Sequence, residues 1–190
     1  KAVRNNSFSP LEIVPPKESD YHDLELYKET EAIHGHIVIR SVEAESLMEF
    51  PRAKRKTIEF IGNSITVGMG SDPSVVSCER GIPADHQNAF DAYGPRTARV
   101  LEMDYMVTGV SGMGMYRNWN TAYPVMGDVF GSVTMSPDPA SPRWNFNEFV
   151  PDIVSICLGT NDLSDGDGVQ PRLPFDRDLF IHTYIEFLRM

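Results

Sequence analysis

Three short runs of small polar residues hold the side chains with the most chemical potential. They are Gly62-Asn63-Ser64, Ser111-Gly112 and Gly159-Thr160-Asn161-Asp162, and each follows a short apolar stretch. Acyl transfer needs a nucleophilic oxygen and hydrogen-bond donors placed where the tetrahedral oxyanion forms. Ser64 supplies the first. The backbone N–H of Ser64, the backbone N–H of Gly112 and the side-chain amide of Asn161 are candidates for the second. Gly112 suits the task because a residue without a Cβ lets the main chain approach a substrate closely. Any one run taken alone reads better as a strand-terminating turn, since Gly, Ser and Asn are common turn formers. The argument rests on three of them in series.

Elements able to aim these residues are visible around them. Thr57-Ile58-Glu59-Phe60-Ile61, Tyr105-Met106-Val107-Thr108-Gly109-Val110 and Asp152-Ile153-Val154-Ser155-Ile156-Cys157-Leu158 read as strands, and their near-continuous apolar character suits a parallel sheet buried on both faces. Residues 93–101 read as a helix, and 177–190 as an amphipathic helix with Leu179, Phe180, Tyr184, Phe187 and Leu188 on its apolar side. A long Pro-, Asn- and aromatic-rich insertion fills 113–147. The order β-α-β-loop-β-α predicts a doubly wound α/β domain, which binds ligands at the carboxyl ends of its strands. Three strands are few for that architecture, and a further strand is expected after the closing helix.

The first fifty residues read as extended. Asp23-Leu24-Glu25-Leu26-Tyr27 alternates polar and apolar, and Ile37, Val38 and Ile39 are β-branched. These strands are too few for a stable sandwich alone. They suit the end of a β-domain, or strands packed on the domain that follows.

Gly62-Asn63-Ser64-Ile65-Thr66 resembles the first block of SGNH (GDSL-type) hydrolases, Gly112 falls at their second-block glycine, and Gly159-Thr160-Asn161-Asp162 matches their third block. Ser111-Gly112-Met113-Gly114-Met115-Tyr116-Arg117-Asn118 and Leu26-Tyr27-Lys28-Glu29-Thr30-Glu31-Ala32 look like segments of family 2 carbohydrate esterases. The resemblance implies a flavodoxin-like three-layer SGNH domain over 53–190, C-terminally incomplete. It also implies that 1–52 is the last part of a jelly-roll-like β-sandwich. Ser64 would be the nucleophile, with Gly112 and Asn161 completing the oxyanion hole. Asn63, Tyr116, Arg117, Trp119 and Asp162 are candidate substrate contacts, although Tyr116 and Trp119 read equally as aromatics anchoring a loop, and Trp144 reads better as one. Asp162 reads as a brace for the Asn161 loop as well. Asn63 stands where the family usually has Asp, a nearly isosteric change that should leave activity intact.

The implied activity is deacetylation of plant cell-wall polysaccharides by a secreted or periplasmic bacterial serine esterase. Its partner is an acetylated oligo- or polysaccharide, and no cofactor is implied. The rival readings are another SGNH acyl-ester hydrolase and a non-catalytic carbohydrate-binding protein on the same scaffold. The family takes its base from a histidine near its C-terminus. None of His22, His34, His36, His86 and His182 fits that place, although His86 lies on a loop near the site side. The expectation is therefore a natural chain continuing past Met190 and a start that is internal.

Composition narrows the alternatives. With 17 Lys and Arg against 27 Asp and Glu, the net charge of −10 argues against nucleic acid, which needs a basic stripe. The cluster Arg52, Lys54, Arg55 and Lys56 reads as a solvated linker. No apolar run reaches the ~20 residues of a membrane span. Neither of the two cysteines has metal-ligand spacing; Cys157 reads as a buried small hydrophobe and Cys78 as a loop thiol, free or paired. Asp162, Asp165 and Asp167 depart from the EF-hand pattern, with Leu173 where its bidentate Glu belongs. Gly109 to Gly114 fits neither GxGxxG nor a P-loop, and there is no G-x-S-x-G elbow.

Overall fold

The computed structural model describes residues 10–15, 17, 19, 21–35, 37–48, 54–74, 76–77 and 79–190. His36, Arg52 and Cys78 lie outside these residues, as does the expected boundary at 52/53.

The centre is a three-stranded parallel sheet of β1 (Thr57–Gly62), β2 (Asp104–Gly109) and β3 (Ile153–Cys157), in the order β2-β1-β3. Parallel neighbours require crossovers. The first is helix α1 (Tyr93–Val100), whose Ala98 packs with Ile58 and Phe60 on one face of the sheet. The alternation of side chains sends Ile61 to the other face. There it meets Val110, Met113, Met115, Met126, Val129 and Phe187, the last from helix α4 (Arg177–Leu188). Helices thus cover both faces, giving an α/β fold. Two one-turn α-helices, α2 (Met126–Val129) and α3 (Thr160–Leu163), and 3-10 turns at Pro83–His86 and Ala89–Asp91 lie in the connections.

At the amino-terminal end of the sheet, the Asp152 carboxylate accepts from Thr57 N–H at 2.9 Å and from Lys56 Nζ at 2.5 Å. This fixes where β3 starts against β1.

Several expectations are corrected. Cys157 is exposed, not buried, and Ile153 and Val154 are about half exposed. β3 is an edge strand here, paired on one side with β1. On α4, Phe180, Tyr184 and Phe187 face the core, whereas Leu179 and Leu188 point outward. The insertion, read from sequence only as a long Pro-, Asn- and aromatic-rich loop, contributes to the core, because Met115, Met126 and Val129 are among the most deeply buried side chains. The strands expected at 23–27 and 37–39 are absent among the described residues of 10–48, which carry a single 3-10 turn at Ala32–His34; this concerns those strands and not the domain to which 1–52 belongs. An alternating segment becomes a strand only when a neighbour completes its ladder, and Leu24, Leu26, Ile37, Val38 and Ile39 stand exposed without one.

Candidate active site

Strand register delivers the three polar runs to one edge. Gly62 pairs with Gly109 on one side and with Cys157 on the other. Ser64, Gly112 and Asn161 follow these positions by two, three and four residues. They emerge at the carboxyl ends of adjacent strands, which lie ~4.8 Å apart. Ser64 comes from the central strand, flanked by the other two.

The chain turns sharply after β1, with Val67 N–H donating to Asn63 O at 3.0 Å and Met69 N–H to Ser64 O at 2.8 Å. The turn folds Thr66 back over Gly62 so tightly that a Cβ there would lie 2.0 Å from Thr66 Oγ1. This is why the run begins with glycine. Thr66 Oγ1 in turn lies 3.2 Å from the Tyr93 hydroxyl, which burial pushes above its ordinary pKa. Asn63 is buried, its Oδ1 accepting from Ile65 N–H at 3.3 Å while its Nδ2 has no partner. Asn63 therefore shapes the Ser64 turn from behind. Ser64 itself is half-buried.

Gly112 has φ +78°, and the nearest atom to an added Cβ would be Trp119 Cβ at 4.0 Å. Left-handed backbone, not crowding, calls for glycine here. Two residues on, crowding does decide: a Cβ at Gly114 would lie 2.0 Å from Arg117 O and 2.7 Å from Asp162 Oδ2.

The second and third runs form one hydrogen-bonded unit. The Asp162 carboxylate, fully buried, accepts from the backbone N–H groups of Met115 (2.9 Å), Tyr116 (2.8 Å) and Arg117 (3.2 Å). Asn161 Nδ2 donates to Met113 O at 2.7 Å, leaving its second N–H for a ligand. Arg117 Nε donates to Asp162 O at 2.7 Å and its Nη1 to Leu173 O at 2.5 Å. Arg172 ties the back of the site together, donating to Asn118 O at 2.7 Å, to Asn161 O at 2.5 Å and to Trp119 O.

The expected substrate contacts therefore divide. Asp162 has no exposed surface and Arg117 spends its guanidinium on two carbonyls, so both brace loops. Tyr116 packs against Phe175 and Phe180, and its hydroxyl accepts from Asp176 N–H at 3.0 Å. It anchors a loop as well. Trp119, 45% exposed beside Gly112, keeps an open face. Trp144 lies half-buried, away from these runs, in a cavity with Phe130, Phe146 and Glu59.

Among the described residues no histidine hydrogen-bonds to Ser64. His86 is buried and its Nε2 lies 2.9 Å from Ser77 O, while His34 stands 3.7 Å from Glu31. His22 and His182 are exposed. No group of three or more His, Cys, Asp or Glu able to hold a metal occurs among the described residues. No helix among them is long and apolar enough to cross a membrane. Sequence reasoning missed Arg172 and Glu31, whose contacts to the site join residues far apart in the chain and leave no periodic signal.

No family model matches the chain. It is 31% identical over 167 residues to the cellulase/esterase CelE of Acetivibrio thermocellus, covering 84% of this chain and 19% of that protein. It is 27% identical over 175 residues to an acetylxylan esterase / glucomannan deacetylase of Cellvibrio japonicus, covering 90% of this chain and 46% of that protein. The chain thus spans less than half the length of these relatives. A family two carbohydrate esterase from Cellvibrio japonicus superposes with TM-score 0.63 at 28% identity, over 75% of this chain and 40% of that one. A Clostridium thermocellum member of that family, in complex with cellohexaose, gives TM-score 0.62 at 29% identity, over 76% and 41%. This chain is thus similar to solved family two carbohydrate esterases and to curated esterases, among them an acetylxylan esterase / glucomannan deacetylase.

Proposed function

We propose that the protein carrying this chain is a serine esterase that removes O-acetyl groups from carbohydrates, with plant cell-wall polysaccharides as the substrate class. One observation carries this reading: three adjacent parallel strands release Ser64, Gly112 and Asn161 at the same edge. In the reaction, Ser64 Oγ attacks the acetyl carbonyl carbon as a base takes its proton. The resulting oxyanion is held by the N–H groups of Ser64 and Gly112 and the free N–H of Asn161. Collapse expels the sugar alkoxide, which takes a proton. Water then attacks the acetyl-Ser64 ester, releasing acetate and restoring the hydroxyl. The base is a histidine that the described residues do not place against Ser64. Trp119 offers its open face to a pyranose ring. Segment 1–52 goes with a β-sandwich accessory domain, in keeping with its exposed alternating apolar residues. A polymeric substrate of this kind places the protein outside the cytoplasm.

Hydrolysis of a chromogenic aryl acetate, with Ser64→Ala alongside, tests the reading. The serine variant should lose at least ~10³-fold in kcat/KM. Preference for butyryl or longer chains over acetyl would reassign the protein to another acyl hydrolase class. A second reading, carbohydrate binding without turnover, is favoured by the lack of a histidine against Ser64 among the described residues. It predicts glycan affinity unchanged in Ser64→Ala and no turnover in either protein.

A further inference from the structure

Glu31 lies outside the α/β domain in sequence, 80 residues before Ser111, yet its side chain is wholly buried. A buried carboxylate is costly unless hydrogen bonds compensate it, and its bonds here lead to the site. Oε2 accepts from the backbone N–H of Ser111 at 2.6 Å. Oε1 accepts from Gln87 Nε2 at 3.4 Å, and Gln87 Nε2 also donates to Val67 O at 3.1 Å in the turn after Ser64. The backbone answers in kind, with Glu31 N–H donating to Gln87 Oε1 at 3.2 Å and Ala89 N–H to Glu29 O at 2.9 Å. Lys28 Nζ donates to Glu31 O at 2.9 Å and to Thr30, which fixes the segment carrying the carboxylate. One acidic side chain thus grips both the loop that follows Ser64 and the residue that precedes Gly112.

That second grip matters for chemistry. Ser111 Oγ is buried without a partner, so its backbone N–H is the polar tie that orients this residue from outside its own turn. A charge-assisted bond of this length is among the stronger ties available. It fixes the Val110–Ser111 peptide plane, one pair of backbone dihedrals before the plane that carries the Gly112 N–H. We propose that Glu31 is a positioning residue for the oxyanion hole, making the segment before the α/β domain part of the catalytic unit. This inference rests on the esterase reading above. Being wholly buried, Glu31 touches no substrate and acts through Ser111 and Gly112.

The test compares Glu31→Ala and Glu31→Gln with the parent in the full-length protein, by two independent readouts. Amide hydrogen exchange should show Ser111 opening at least about 10-fold faster in Glu31→Ala, with Phe60 and Val107 in the sheet unchanged. Aryl acetate hydrolysis should lose about 10- to 100-fold in kcat with KM within about two-fold, as expected of a slightly misplaced oxyanion donor. Glu31→Gln, which keeps an acceptor for the Ser111 N–H, should recover most of both. Unchanged exchange at Ser111 in Glu31→Ala overturns the proposal. So does an activity loss that only tracks the folded fraction or falls on KM. If the parent hydrolyses no aryl acetate, the esterase reading falls, while the exchange readout still decides whether Glu31 grips Ser111.

Discussion

Replacing Asp162 by Asn changes few atoms yet should be among the more damaging single substitutions in the domain. In the structure, Oδ1 accepts from Met115, Tyr116 and Arg117 and Oδ2 from Met115 alone. An asparagine does best by placing its oxygen at the Oδ1 position. Its NH2 then faces the Met115 N–H, donor against donor, and the remaining two bonds lose their charge assistance. Hydrogen bonds to a charged group are worth about 1.5–3 kcal/mol each, and an orphaned buried donor costs about 1–3 kcal/mol. One conflict and two weakened bonds come to about 3 kcal/mol for Asp162→Asn. Asp162→Ala, which orphans all three donors, should cost about 3–9 kcal/mol by the same reckoning. For a chain of 190 residues, 1 kcal/mol moves Tm by about 2–4 °C, so the Asn variant should melt about 6–12 °C lower. Urea denaturation should show a lower midpoint with an unchanged slope. A midpoint equivalent to less than about 0.5 kcal/mol of destabilisation would refute the assignment of Asp162 as the tie between the second and third runs.

Two further predictions concern pH. Burial pushes the Glu59 carboxyl above its ordinary value, with the Thr108 hydroxyl at 2.6 Å opposing the shift. The folded state therefore holds its proton to higher pH than the unfolded chain does, and stability falls as pH rises above the unfolded value of 4.5. Glu59→Gln should raise Tm more at pH 8 than at pH 4, and an equal effect at both would contradict this. Asp152 behaves oppositely, its pKa held down to about 2, first by the Lys56 hydrogen bond and then by Thr57 N–H. Its contribution is complete above the unfolded value of 3.8 and is lost as pH falls through about 2. Thermal melts should find Asp152→Asn less stable than the parent at pH 6, with most of the gap gone at pH 2 and the two equal near pH 1. A gap as large at pH 2 as at pH 6 would remove the charge from the explanation.

The sheet was legible because apolar runs end abruptly in Gly-Asn-Ser, Ser-Gly and Gly-Thr-Asn-Asp, and a parallel strand leaves little other trace. α1 and α4 were legible from apolar residues set among charged ones, on one side of a helix in the case of α4. Cys157 stands exposed because, among the described residues, β3 has a neighbour on one side only, the β1 side, whereas its continuous apolar run suits cover on every side. The insertion concealed its core role because Met115, Met126 and Val129 pack from irregular backbone and a single helical turn, where no period exists to be counted. The ties from Asp162 to Tyr116 and from Glu31 to Ser111 span 46 and 80 residues. Such contacts are properties of the folded chain, and a substrate contact and a loop brace look alike in sequence. Asp162 and Arg117 show how often the brace is the answer.

The central claim is that Ser64 carries the acyl group. The direct test is an acid quench of the full-length protein during turnover of an activated aryl acetate, followed by peptide mass spectrometry. The account predicts one acetyl group on the peptide containing Ser64, absent from Ser64→Ala. An acetyl group on another residue, or turnover undiminished in Ser64→Ala, would contradict it.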